Sequence, residues 1–291
     1  YNNFDTEIIN YSPIKNRLRY KLWLIKNMRI KELALHNRKE KKIENFRKKR
    51  LKLSKKYSSD IKLLDAAHDY DVYICGSDQI WNESFTLRGE LRPTLSYFLK
   101  FVPDGKKRIS YAASFGTDEL SDEVHNLVKP ELGKFSHIGV RENSGKKIVE
   151  DMGLAAQVVL DPTLLLRIND YEQLLVEEKP DCNSKVFTYV LHENQSLVSK
   201  VINYILNEYF DGNVGNKCSC EAIGVEEWLY HIKNSELIVT NSYHGVIFSI
   251  IFNKPFLVVP VEGKKMNNRI ITLLSAINME SRIVSDFNKG K

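Results

Sequence analysis

The chain has 291 residues, 43% hydrophobic and 27% charged, with a formal net charge of +6. This is the composition of a soluble globular protein with one large domain or two of ordinary size. No apolar run approaches the roughly 20 residues that span a bilayer, so no membrane-spanning helix is expected within these residues. Asp5 to Tyr11, DTEIINY, reads as a short strand expected to lie beside an earlier one. No signal peptide is read in the opening residues, and the start at Tyr1 rather than Met is read as a missing natural N-terminus.

The basic character belongs to one segment. From Lys15 to Lys56, 18 Lys and Arg stand against three Glu, a net of +15, so the rest of the chain carries about −9. Leu18, Leu22, Ile25, Leu33, Ile43, Phe46 and Leu53 recur there at helical spacing, which predicts one or two amphipathic helices. Two readings stay open: a solvated helical hairpin packed on its domain, or peripheral contact with an anionic membrane. Nucleic-acid binding is not expected, because no recognition motif accompanies the charge.

A short helix is expected from Ser58 to His68, then a strand over Val72–Cys75 and a turn, Gly76-Ser77-Asp78-Gln79, at its carboxyl end. Gly76 admits a ligand close to the backbone, and the next three residues offer a hydroxyl, a carboxylate and an amide. Trp81, next to Asn82, is either an apolar platform for a sugar or a core residue. Lys107–Ser114 reads as the next strand, Glu119–Lys134 as a helix around Pro130, and Ser136–Val140 as a strand. Arg141 then falls at a strand's carboxyl end, where a guanidinium can hold a carboxylate or phosphate bidentately. A helix to Met152 and a strand over Val158–Leu160 complete a parallel α/β rhythm.

The pattern restarts with a strand over Val186–Leu191, a helix over Ser196–Tyr209, a strand or link over Ala222–Gly224 and a helix over Val225–Asn234. Cys75, Cys182, Cys218 and Cys220 show no CxxC spacing. Cys218-Ser219-Cys220 alone is a weak metal signal, and free thiols in a reducing compartment are the preferred reading.

Glu236–Thr240, Val246–Phe252 and Phe256–Val259 read as a buried strand, helix and strand, a tight right-handed βαβ unit. Asn241 and Ser242 cap the helix, and Tyr243, His244 and Gly245 lie at its N-terminus, where the macrodipole favours an anion. The same dipole disfavours an imidazolium, so His244 can serve as a neutral base near pH 7. Against this stands a solvent-facing histidine with no role. A helix over Asn267–Ile277 carries Arg269. Two α/β domains, 1–165 and 166–291, would leave Gly76, Ser114, Arg141 and His192 facing Asn241–Gly245 across a cleft.

Collected, these turns resemble the polysaccharide pyruvyl transferase family. The matching pieces are DVYICGSDQIWN (71–82), ISYAASFG (109–116), GVRENSG (139–145), VVLDPTLLL (158–166) and TNSYHGVIFSIIFNKPF (240–256), in the family's order. The resemblance implies two Rossmann-like domains facing a cleft, a glycosyltransferase-B-like fold. Its opening strand and Asn-Gly-rich turn, upstream of Asp5, and its closing helix, after Lys291, are expected to lie outside this chain.

The implied activity moves an enolpyruvyl unit from phosphoenolpyruvate onto two hydroxyls of a sugar, as a cyclic ketal. The acceptor is a surface polysaccharide or its lipid-linked precursor, and the place is the cytoplasm at the inner face of a bacterial membrane. By position His244 resembles the catalytic histidine and Arg141 a donor-binding arginine, with Asn241, Ser242 and Gly245 completing the donor site. Ser242 stands where many members have a donor-contacting arginine. Gly76, Ser77, Asp78, Gln79, Trp81, Asn82 and Ser114 are the acceptor or cleft candidates. Phosphoenolpyruvate is a co-substrate; no other cofactor and no metal is expected. A nucleotide-sugar glycosyltransferase and a non-catalytic relative are the alternatives, since fold does not settle function.

Overall fold

The computed structural model describes residues 4–87, 94–176, 185–191, 195–210, 212, 217–219, 222–261 and 267–284. His192 lies outside them. The chain divides into two compact units, Tyr1–Pro162 and Thr163–Lys291. Among the described residues, no helix is long and apolar enough to cross a membrane.

The first unit opens with strand β1 (Ile8–Tyr11), helices α1 (Ile14–Lys26) and α2 (Ile30–Arg50) and strand β2 (Leu53–Tyr57). β1 was expected beside an earlier strand. Its described partner is β2, in parallel, so the two basic helices form the crossover of a two-stranded sheet. Leu53 therefore belongs to a strand rather than to the helical repeat. A cavity of about 450 Å³ lies between β1 and the next strand, β3 (Val72–Cys75), with Ile9, Tyr11, Ile74 and Tyr97 in its lining.

The short helix α3 (Asp60–Leu63) leads to β3 and α4 (Glu83–Leu87) follows it. Then come β4 (Lys107–Ala113), α5 (Asp122–Leu132), β5 (His137–Val140), α6 (Asn143–Asp151) and β6 (Gln157–Val158). Strands β3-β4-β5-β6 pair in that order, all parallel, so their carboxyl ends share one edge. α5 begins with Ser121, whose hydroxyl accepts from Val124 N–H, and carries Pro130. Its buried Val124, Val128 and Leu132 join Trp81, Phe98, Phe115, Val140 and Val149 in one core.

The second unit contains α7 (Ile168–Glu172), β7 (Val186–Tyr189), α8 (Gln195–Tyr209), β8 (Lys217–Ser219) and α9 (Val225–Asn234). It continues with β9 (Leu237–Thr240), α10 (Tyr243–Ile251), β10 (Phe256–Val258) and α11 (Asn268–Ser275). Its sheet runs β10-β9-β7-β8, again parallel. Ala222–Gly224 is a link rather than a strand. Successive residues of β7 and β9 point to opposite faces, so the sheet has two cores. Phe187 and Ile238 pack with Leu229, Val246 and Leu274, while Val186 and Val239 pack with Val201 and Ile205 of α8. Burial on both faces is why these strands read as continuous apolar runs.

His231 of α9 is 4% exposed and stacks on Phe187, with ring centroids 5.3 Å apart at 19°. Burial holds its pKa below the ordinary histidine value, against a smaller opposing pull from Glu227. The folded state thus favours neutral imidazole, whereas the unfolded chain protonates near pH 6.5. This contribution is complete above about pH 6.5 and is lost as pH falls through the lowered folded pKa. Thermal unfolding between pH 7.5 and pH 5 should show a falling midpoint, with a shallower fall in His231→Phe. Equal slopes in both proteins would exclude His231 as the cause.

Candidate active site

In the first unit, turns following four adjacent strands meet at one sheet edge. The turn after β3 begins with Gly76, at φ +127° and so close to β4 that a Cβ would lie 1.9 Å from Tyr111 O. Only glycine fits such an approach in that conformation. Ser114 N–H donates to Asp78 O at 2.9 Å, and Trp81 N–H donates to Ser114 O at 3.2 Å. Asn82 donates to Gln79 Oε1 at 3.1 Å, and its own Oδ1 accepts from Ser84 N–H at 2.9 Å at the start of α4.

Arg141 follows β5, and its side chain is fully buried. Its Nη2 is 3.1 Å from Asp78 Oδ1 and its Nη1 is 3.1 Å from Asp161 Oδ2. Ser77 Oγ donates to the same Asp161 oxygen at 2.8 Å. The arginine expected as an open donor fork therefore spends both terminal nitrogens on carboxylates and anchors the Gly76–Gln79 turn. Breaking a buried pair by removing one partner typically costs about 3–5 kcal/mol, a figure that applies to the Arg141–Asp161 half of the anchor, where both side chains are buried. What the turn presents outward is Asp78, whose side chain is 63% exposed.

Two acceptor candidates are buried. Trp81 is 0% exposed. Its ring stacks on Phe98 at 5.3 Å and 7°, contacts Phe115 and Phe135, and its Nε1–H donates to Tyr97 O at 3.0 Å. It is a core residue, with no face for a sugar. Ser114 is likewise 0% exposed, and its hydroxyl donates to Glu142 Oε1 at 2.8 Å. The same oxygen accepts from Phe115 N–H at 3.1 Å, so Glu142 stitches the end of β4 to the start of α6. Glu142 and Asp161 were not singled out from sequence. Their positions just past strand ends, in RENSG and LDPT, were the available signal.

The second unit carries the other turn, between β9 and α10. Thr240 donates from Oγ1 to Tyr189 O at 2.6 Å and accepts from Ser242 N–H at 3.0 Å. Asn241 Oδ1 accepts from Leu191 N–H at 2.8 Å. Ser242 is the N-cap of α10, its hydroxyl accepting from Gly245 N–H at 3.3 Å. A Cβ at Gly245 would fall 2.4 Å from Thr240 Oγ1, so the helix start packs tightly on the strand end.

Within this frame His244 is half-buried in the first turn of α10, edge-on to Tyr243 at 5.6 Å and 76°. Arg269 of α11 is 7% exposed and places its guanidinium carbon 5.6 Å from the Tyr243 ring centroid. The sequence located this arginine on a helix without placing it at the turn. An anion-favouring helix start, a histidine in its first turn and a cation on the adjoining ring thus occur together.

Comparison with curated proteins returned no match. The family model described as polysaccharide pyruvyl transferase matches residues 2–263, nearly the whole chain. The match takes in both turns, and the chain belongs to the polysaccharide pyruvyl transferase family.

Proposed function

We propose that the protein transfers the three-carbon unit of phosphoenolpyruvate to two hydroxyls of a sugar, forming a cyclic pyruvate ketal. The sugar belongs to a surface polysaccharide or its lipid-linked precursor, and the reaction takes place at the cytoplasmic face of the membrane. The observation that carries this reading is His244 in the first turn of α10, a helix capped by Ser242 at the carboxyl end of β9. Ligands of open α/β sheets favour that end of the strands.

The chemistry needs a proton on the enol methylene carbon while a first sugar oxygen bonds to the neighbouring carbon. Inorganic phosphate then leaves and the second sugar oxygen takes its place; of the two hydroxyl protons, one replaces the proton given to the methylene carbon and the other departs on the phosphate. His244 is assigned the proton delivery and recovery, since an imidazole can both give and accept a proton. The positive end of the α10 dipole and Arg269 favour the anionic donor beside it, where many members use an arginine at the position of Ser242. The Gly76–Asn82 turn is assigned to the acceptor. There Asp78, held by Arg141, accepts hydrogen bonds from sugar hydroxyls.

Ligand-dependent thermal unfolding tests the donor. Phosphoenolpyruvate at 100 times its dissociation constant should stabilise the fold by about 2.7 kcal/mol, seen as a raised midpoint. A rise with uridine or guanosine nucleotide-sugars alone would instead identify a glycosyltransferase, and a rise with neither would identify a non-catalytic relative.

A further inference from the structure

We propose that the α1–α2 hairpin docks the protein on an anionic lipid surface, with the turn between the helices entering the interface. Leu22 is 54% exposed, Trp23 47%, Ile25 49%, Met28 82% and Ile30 55%. All five fall between the last turns of α1 and the first residue of α2, at one end of the hairpin. Scattered exposed apolar residues are ordinary, but a cluster marks an interaction surface.

The cluster is ringed by exposed Lys26, Arg29 and Lys31. Arg29 lies over the Trp23 ring at 5.4 Å. Glu32, Glu40 and Glu44 make ion pairs within the hairpin, with Arg29, Lys21 and Arg47. The 18 Lys and Arg of residues 15–56 far exceed what these three carboxylates neutralise, which leaves the net of +15. Lys21–Glu40 at 2.6 Å and the Tyr20–His36 ring contact at 5.0 Å hold the two helices together.

Leu24 of α1 is buried, but among the described residues of helix α2 none is, so core packing does not account for the exposed apolar residues of the turn. Apolar and aromatic side chains surrounded by lysine and arginine match the acyl boundary and headgroups of an anionic bilayer. A nucleic acid would use the charge but leave Leu22, Ile25, Met28 and Ile30 without a role. The inference deepens the proposed function, on which it rests for its biological purpose, but the test reads membrane binding and not catalysis.

The test is sedimentation of the whole chain with vesicles of phosphatidylcholine alone or mixed with phosphatidylglycerol. Binding should require the anionic lipid and fall tenfold or more between low and high salt as the charges are screened. Met28→Asp with Ile25→Ser, and separately Lys26→Glu with Lys31→Glu, should each lower partitioning at least tenfold. Lys48→Glu, at the far end of α2, should change it less. These positions are exposed, and unchanged thermal midpoints will establish that the variants fold. Trp23 emission should shift to the blue on binding, and Trp23→Phe should abolish that shift. Equal binding to both vesicles, binding to neither, or no effect of the turn variants overturns the proposal. So does tighter binding to an RNA or DNA oligomer than to the anionic vesicles.

Discussion

His244→Ala is expected to lower the rate of pyruvyl transfer by about 10²-fold or more, the usual reach of a lost acid–base group, with little change in donor affinity. The expectation follows from how the turn is built. Thr240, Asn241 and Ser242 use their side chains on the backbone of β7, Leu191 and the α10 start. Gly245 provides only its close approach to Thr240. Proton transfer at this turn is therefore expected of His244. Its half-exposed position means that removal leaves the buried frame in place, so the loss should appear in turnover rather than in the fold. His244→Gln retains polarity but cannot give and accept a proton as an imidazole does, and should be as slow as the alanine variant. Steady-state rates, with donor affinity from thermal shifts, check both. Near-normal turnover in either variant removes His244 from the mechanism.

Gly76→Ala should produce the largest loss of stability, about 3–5 kcal/mol, which is a major share of a domain's roughly 5–15 kcal/mol. Two costs combine there. The φ of +127° strains any residue with a Cβ, and that Cβ would sit 1.9 Å from Tyr111 O, an atom fixed within β4. Gly105 provides the control, because its φ is +89° and, among the described residues, no atom outside its chain neighbours would lie within 4 Å of an added Cβ. Gly105→Ala should therefore show the conformational cost alone, about 1 kcal/mol. Urea unfolding of the two variants separates the terms. Equal losses would mean that the turn after β3 does not pack against β4 as described.

The βαβ unit around His244 was legible because every signal in it is local. LIVT and FLV are apolar strands buried by their neighbours, Ser242 is a capping residue, and Asn253-Lys254-Pro255 stops the helix. Strands β3, β4 and β5 of the first unit were legible for the same reason, and so was the helical hairpin. The strand β2 was not, because LSKKY carries two lysines and continues the spacing of the preceding helix. Its identity as a strand comes from pairing with β1, more than 40 residues earlier.

The site candidates that the fold buries share one cause. Trp81 follows a polar turn and looks outward on a linear reading, yet Phe98, Phe115 and Phe135 close over it from three later segments. Arg141 looks like an open anion fork until Asp78 and Asp161, from two other strand ends, are placed on it. Residue type and spacing reported correctly that these positions lie at carboxyl ends of strands. Which of them faces outward depends on partners distant in sequence, and that selects Asp78 rather than Arg141 for the exposed role.

Pyruvyl transfer itself is tested most directly by running the reaction in deuterated water with phosphoenolpyruvate and lipid-linked glycans from an envelope extract. Protonation of the enol carbon predicts one solvent deuterium in the methyl group of an acid-labile pyruvate ketal, with one inorganic phosphate released per ketal formed. A product that keeps its methylene as an enol ether, or consumption of a nucleotide-sugar with phosphoenolpyruvate untouched, would contradict the account.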